Sequence, residues 1–279
     1  IVFGDSGADY ITGGFAGDAI DGGAGDDVID GGAGNDFLNG GDGIDTLSYA
    51  SAGASVTVNL AMKVQKTGGA GNDTIANFEN LRGSAFDDVL TGDKYDNVIE
   101  GGVGNDILAG GLGKDVLDGG EAVDIASYAT SKAAVTVDLG SNFMAGGDAE
   151  GNTLISIEGV IGSKYADVLT GDNNNNWLNG GAGDDTLLGG KGDDILIGGA
   201  GSDVLDGGEG NDTASYENNR AALTIDLAAG LALGGDAKGD QYISIENVIG
   251  DLRNDFISGD SGDNEIFGGA GKDFLVGRG

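Results

Sequence analysis

Residues 22–30 read GGAGDDVID. Two glycines open the stretch, a third follows after one residue, an aspartate stands sixth and an isoleucine eighth. The same order, Gly-Gly-x-Gly-x-Asp-x-U-x with U aliphatic, recurs in blocks of nine beginning at Gly4, Gly13, Gly31 and Gly40. Further blocks begin at Gly83, Gly92, Gly101, Gly110 and Gly119, at Gly162, Gly171, Gly180, Gly189, Gly198 and Gly207, and at Gly250, Gly259 and Gly268, with one alone at Gly68. Along the runs the eighth position is Ile or Leu, from Ile11 to Leu275, except for Ala126 and Ala214. A fixed period of this kind marks a repeat architecture, in which each unit buries its apolar residue only against its neighbours. Val28-Ile29-Asp30 predicts a three-residue strand with Ile29 inward. The six residues before it predict a turn in which glycine supplies left-handed backbone.

Composition narrows the chemistry. The chain has 279 residues, 59 of them Gly, with no Pro, Cys or His, and 47 acidic against 13 basic side chains give a formal charge of −34. Without His and Cys there is no usual zinc, haem or iron–sulfur ligand set, no Ser-His or Cys-His nucleophile and no disulfide. Carboxylate chemistry remains. The negative charge argues against nucleic acid as a partner, and the lack of any run of about 18 apolar residues argues against membrane insertion. No basic and apolar leader opens the chain. Ile1-Val2-Phe3 look like the tail of a repeat already under way and Gly277-Arg278-Gly279 like the start of another, so the chain is expected to be a slice of a longer array.

These blocks resemble the repeats-in-toxin (RTX) calcium-binding nonapeptide family. The resemblance implies an all-β fold, a right-handed parallel β-roll or β-helix solenoid with two nonapeptides, hence about 18 residues, per coil and calcium between stacked Gly-Asp turns. Physical chemistry agrees. The one Ile or Leu that a nonapeptide buries cannot offset the backbone entropy of nine residues, and stacking sets Asp upon Asp in register, which opposes folding. A divalent ion between turns reverses that sign. Calcium suits the place better than magnesium, since it accepts six to eight oxygens at variable geometry and glycine-rich turns leave carbonyls free to ligate.

Aspartates 18 apart then form the stacks Asp9–Asp27–Asp45, Asp18–Asp36, Asp88–Asp106–Asp124, Asp167–Asp185–Asp203, Asp194–Asp212 and Asp255–Asp273. Asn97 with Asp115 and Asn176 with Asp194 predict two weaker sites, and Asp73, sixth in the isolated block, is a further expected calcium ligand. On the order of ten calcium ions are expected.

Three stretches of equal length break the nine-residue phase: Gly40 to Arg82, Gly119 to Ile161 and Gly207 to Ile249. In register they align Tyr49, Tyr128 and Tyr216; Val56-Thr57-Val58, Val135-Thr136-Val137 and Leu223-Thr224-Ile225; and Glu79, Glu158 and Glu246. Alternation of β-branched and polar residues predicts strands, and equal length predicts equal structure: wider β-helical coils with extra core. The expected organisation is one continuous solenoid over 1–279, with nonapeptide runs at 1–48, 83–127, 162–215 and 250–279 and inserts within 49–82, 128–161 and 216–249. Blocks at Gly92, Gly171 and Gly259 depart alike, with Asp93, Asp172 or Asp260 second and Asn97, Asn176 or Asn264 sixth.

Glu79, Glu158 and Glu246 could be read as catalytic acids. Recurrence once per super-unit favours a structural role instead, with a lysine or a turn amide as partner, since a catalytic pair needs one cleft with unequal environments. Gly113-Lys114 and Gly190-Lys191 lack the Ser or Thr and the strand-to-helix context of a phosphate loop. Trp177, Tyr128 and Tyr216 are single aromatics on strands, more in keeping with packing than with sugar stacking. Thr57, Thr136 and Thr224 occur too rarely to make an ice-binding row. The expectation is a non-enzymatic structural or adhesive segment of a secreted bacterial surface or extracellular protein (surface layer, adhesin or filament), folding on export through a type I channel into calcium. Its expected partners are calcium, further copies end to end, and neighbouring surface proteins or polysaccharide. The alternative is a calcium-binding accessory module of a secreted protease, lipase or alginate epimerase.

Overall fold

The structure, a computed structural model, describes residues 1–278. Among the described residues the chain is all β, with short strands, two three-residue 3-10 turns at Gly147–Ala149 and Gly235–Ala237, and no α-helix. No helix of the described residues is long and apolar enough to cross a membrane.

The nonapeptide becomes a strand and a turn, and alternate nonapeptides fall on opposite sheets. Tyr10–Gly14 pairs in parallel with Val28–Gly32, which pairs with Thr46–Ser48, in the register Ile11, Ile29, Leu47. On the other side Val2–Phe3, Ala19–Ala24 and Phe37–Asp42 stack with Val2, Ile20 and Leu38 in line. Partners are thus 18 residues apart, and the fold is a parallel β-roll with two nonapeptides per coil. The eighth-position residues form the core between the sheets: Ile29, Leu47, Leu90, Leu108, Leu178, Leu196 and Leu205 are wholly buried. Many strands are longer than the three residues expected, because pairing passes over the first glycine of the next block and resumes at the second, as in Gly23 opposite Gly41. There the coils approach so closely that a Cβ on Gly23, at φ +104°, would lie 2.2 Å from the Asp5 carbonyl oxygen. Only glycine fits that backbone and that contact.

The chain divides into two compact units, one of residues 1–127 with 151–157, the other of the remainder. In the first unit, the first insert acts as a switch coil. One sheet runs through it, since Thr46–Ser48 pairs with Asn80–Arg82 at a separation of 34 residues. The opposite sheet ends, its last members Asn72–Ala76 and the antiparallel Val64–Lys66. A fresh sheet opens at Thr57–Asn59, which pairs with Val89–Thr91. In the second unit the third insert repeats the device. Thr213–Ser215 pairs with Asn247–Ile249, the sheet holding Val204–Glu209 ends on Gln241–Ile243, and Thr224–Asp226 opens a new one with Phe256–Ser258. The second insert gives a terminal strand to the first unit, Thr153–Ile155 on Val116–Glu121, and an opening strand to the second, Thr136–Asp138 on Val168–Thr170. The inserts bring the extra core expected of them, with Tyr49, Val56, Val58, Ile75 and Phe78 buried in the first.

Equal length does not give equal structure throughout. Phe143–Ala145 and Leu231–Leu233 pair antiparallel with the strand before them, whereas the matching Val64–Lys66 pairs with the strand after it. The cause is one residue. The turn after Ala145 and Leu233 needs positive φ at Gly146 (+74°) and Gly234 (+84°), and the first insert has Thr67 there, whose branched Cβ disfavours that backbone. Thr67 instead closes the other hairpin, its N–H and hydroxyl both donating to the Gly71 carbonyl at 3.0 and 2.8 Å.

Candidate metal centres

Stacking brings the sixth-position side chains into columns. Within the runs the backbone N–H of a sixth residue donates to the carboxylate Oδ1 one coil on: Asp9 to Asp27 (2.9 Å), Asp27 to Asp45 (2.8 Å), Asp106 to Asp124 (2.8 Å), Asp167 to Asp185 (2.7 Å) and Asp255 to Asp273 (2.9 Å). Asn97 donates in the same way to Asp115 (2.9 Å) and Asn176 to Asp194 (2.7 Å). One oxygen of each of these accepting carboxylates is therefore a structural acceptor.

The second oxygen sorts the sites. On Asp9, Asp27, Asp36, Asp45, Asp106, Asp185, Asp194, Asp203 and Asp212 the Oδ2 is buried and meets no hydrogen-bond donor among the described residues. A buried carboxylate oxygen without a partner is costly. Each lies over the first glycine of its own block; beside Gly4, Gly22, Gly101, Gly180 and Gly189 the carbonyl of the first glycine one coil on faces the same hollow, and beside Gly40 and Gly207 the carbonyl of Asn77 and Ser244 does, so that a Cβ on Gly22 would sit 2.3 Å from Asp27 Oδ2 and 2.4 Å from the Gly40 oxygen. The hollow exists because position one carries no side chain, and it presents a carboxylate oxygen beside a carbonyl. Among the described residues no three acidic side chains converge, so an ion held here draws on backbone carbonyls as well as Asp. A hard, oxygen-seeking ion of adaptable coordination fits this donor set. Bound, calcium would neutralise the column and satisfy the stranded oxygens.

Charge crowding shows in the acidities. Burial, reinforced by neighbouring aspartates and only partly offset by the backbone bond, pushes Asp106, Asp185 and Asp194 up to about 6 and Asp203 to about 7. Asp36, Asp45 and Asp212 are raised for the same first reason.

Elsewhere the turn is closed. Asp88 Oδ2 accepts the N–H of Ser84 and its Oδ1 the Ser84 hydroxyl and the Val56 N–H. Asp167 is held alike by Ser163 and Val135, and Asp255 by the N–H groups of Asp251 and Leu223. Asp18 Oδ2 takes the Gly14 N–H at 3.1 Å. In the next block after each insert, Asn97, Asn176 and Asn264 accept the N–H of Asp93, Asp172 and Asp260 through Oδ1 (2.8, 2.7 and 2.8 Å). The backbone at position two decides which form results. Where it has positive φ, as at Asp5, Gly23, Gly32, Gly41, Gly102, Gly181, Gly190, Gly199 and Gly208, the turn is open; at Gly14, Ser84, Asp93, Ser163, Asp172, Asp251 and Asp260, where φ is not positive, it is closed. Asp115, Asp124 and Asp273 follow Gly111, Gly120 and Gly269, all of positive φ. Asp73, in the isolated block, caps the Asp36 N–H (3.0 Å) and accepts the Tyr49 hydroxyl (3.1 Å).

Further supports surround the columns, and the first is the turn amide expected as a partner of the insert glutamates. Glu79 and Glu246 accept the N–H of Asp45 and Asp212 (both 2.9 Å), the turn amide that a next-coil aspartate would otherwise take. The Glu79 and Glu246 amides turn to the Asp45 and Asp212 carbonyls. Their own carbonyls face Asn97 and Asn264, whose Nδ2 donates at 2.7 and 2.9 Å; Asn176 does so to Glu158 at 3.3 Å. Asn is needed there as a donor, a role that its reading as a weaker calcium ligand missed. Asp240 caps the Asp203 N–H and accepts the Tyr216 hydroxyl at 2.6 Å. A second ladder on the exposed rim joins position five, with Asp26, Asp184 and Asp193 accepting the N–H of Ile44, Ser202 and Asn211. Recurrent Asp or Asn before the sixth residue was its signal.

No curated protein matches the chain. The family described as RTX calcium-binding nonapeptide repeat (4 copies) matches residues 12–47, 67–76, 82–117, 91–125, 160–187, 179–214 and 248–279, together more than half of the sequence. With its 18-residue coils and its open Gly-Asp turns, the chain belongs to the RTX calcium-binding nonapeptide repeat family.

Proposed function

We propose that the chain is a calcium-folded structural or adhesive segment of a secreted bacterial surface or matrix protein, one that leaves the cell unfolded at low calcium and folds outside. The observation that carries this is the reuse of one device. Glu79 and Glu246, the acids with the best claim to chemistry, occupy the same place in two inserts and do the same job of capping a turn amide. The acidic side chains are spent on stacking coils, and the calcium-binding turns recur along the chain, as suits an extended scaffold. Extracellular modules of this kind bind calcium with dissociation constants near about 10⁻⁴–10⁻³ M, so each site contributes about 1 kcal/mol at millimolar calcium and the folding drive is the sum over many.

The test is fractionation of the native cells with an antibody to this chain. A surface structural segment is expected in the cell-surface fraction and released by chelator. Recovery only in the culture medium, co-purifying with hydrolase or epimerase activity, would support the accessory-module reading instead.

A further inference from the structure

The two turns that follow each insert depart from the calcium pattern together. They are Ser84–Asp88 and Asp93–Asn97 after the first, Ser163–Asp167 and Asp172–Asn176 after the second, and Asp251–Asp255 and Asp260–Asn264 after the third. In all six the N–H of position two closes on the side chain of position six, so the oxygen that stands bare in an open turn is already satisfied. In three of them the carboxylate is replaced by an amide whose Nδ2 donates to the carbonyl of Glu79, Glu158 or Glu246. An N–H group there does what a cation would do, supplying positive charge between two oxygens.

We propose that these six turns exclude calcium and that the insert joints are metal-independent clamps, from which calcium-driven folding of the nonapeptide runs spreads. The proposal rests on the calcium reading of the open turns. Two features let a joint stand alone. Its carboxylates are paired within the protein: Asp73 by Asp36 and Tyr49, Asp88 by Val56 and Ser84, Glu79 by Asp45. It also buries Tyr49, Val56, Val58, Ile75, Phe78 and Leu81 within residues 49–82, two of them aromatic, a denser core than that of a run, where one aliphatic side chain serves nine residues. A run without metal has the reverse balance, little core and a stranded carboxylate oxygen in most turns. After an insert the difference is readable in sequence: Gly-Ser or Gly-Asp opens each closed turn, and the Gly-Gly blocks that follow have positive φ at position two. Gly13-Gly14, closed, and Gly4-Asp5, open at φ +77° with Asp9 Oδ2 bare, show that away from the inserts the residue at position two does not by itself fix the form.

Hydrogen exchange on the whole chain, in chelator and in millimolar calcium, tests this. In chelator, amides of 46–48, 56–59, 74–82 and 89–91 are expected to exchange at least about tenfold more slowly than those of 19–32 and 186–206, and calcium to protect the latter chiefly. Uniform exchange in chelator with protection everywhere in calcium would overturn the clamps while leaving the calcium reading intact. Full protection of 186–206 in chelator would overturn the calcium reading itself. A second variant-based measurement counts ions by native mass spectrometry. D93G/N97D, which rewrites a closed turn as an open one, is expected to bind one more calcium and to lose its protection in chelator. An unchanged count with unchanged protection would contradict the proposal. Should that variant not fold even in calcium, exchange in the wild-type chain still decides.

Discussion

The cradle depends on what position one lacks. Gly22→Ala would drive a Cβ against Asp27 Oδ2 and the Gly40 carbonyl, filling the hollow and forcing two coils apart. A cost of about 1–3 kcal/mol is expected from the overpacking alone, with calcium lost from that turn, as read by thermal melting and calorimetric titration. Gly53→Ala is the control, since no atom lies within 4 Å of its Cβ and its φ is not positive; a change within about 0.5 kcal/mol is expected. Tyr216→Phe tests the paired carboxylates of the joints. It strips a 2.6 Å donor from buried Asp240 and breaks the 2.7 Å contact with Tyr242, and should lower stability by about 1–3 kcal/mol with or without calcium. Equal stability of the variant in chelator would contradict the pairing argument. Sixth-position aspartates were legible as a class, because period and residue type coincide. Their division into open and closed was not, since Asp27 and Asp88 look alike until position two, Gly23 against Ser84, is weighed with them.

At the scale of strands and turns, most of the core was readable from the eighth position, because a two-residue side-chain alternation turns that residue inward; Ile266, half-buried, and Leu275, exposed, are the exceptions. What the inserts do to the sheets was not. Their strands could be recognised, but pairing at 34 and 37 residues depends on which sheet stops and which continues, a choice made by contacts distant in sequence. The hairpin of the first insert shows how narrowly such choices are decided. Thr67→Gly restores the glycine of its two counterparts, and Val64–Lys66 is then expected to leave Asn72–Ala76 and pair antiparallel with Thr57–Asn59. Cross-strand NOEs between Val58 and Gln65 would report the switch, and retention of the contact between Gln65 and Asp73 would refute the role given to Thr67. The bonds between Gln65 and the Asn59 backbone already hold the two segments side by side.

For the molecule as a whole, the dominant fact is a charge of −34 folded into columns of like sign. Folded, Asp106, Asp185 and Asp194 titrate near 6 and Asp203 near 7, against an ordinary value of 3.8. The folded chain thus keeps protons that the unfolded chain releases between about pH 4 and 7, so stability without metal is greatest at the acid end and falls as pH rises through that window. Protons and calcium neutralise the same oxygens, and calcium binding should release protons. In calcium-free buffer the melting midpoint is expected to be higher near about pH 4.5 than near about pH 7.5, with the difference abolished by millimolar calcium; a midpoint that climbs with pH in the absence of metal would reverse the sign of the argument. The most direct measurement is far-ultraviolet circular dichroism of the whole chain at neutral pH, stripped of metal and then titrated with calcium. Loss of most β signal in chelator, and its cooperative return over sub-millimolar to millimolar calcium, is the expected result; a chain equally β and equally resistant to heat in excess chelator would contradict it.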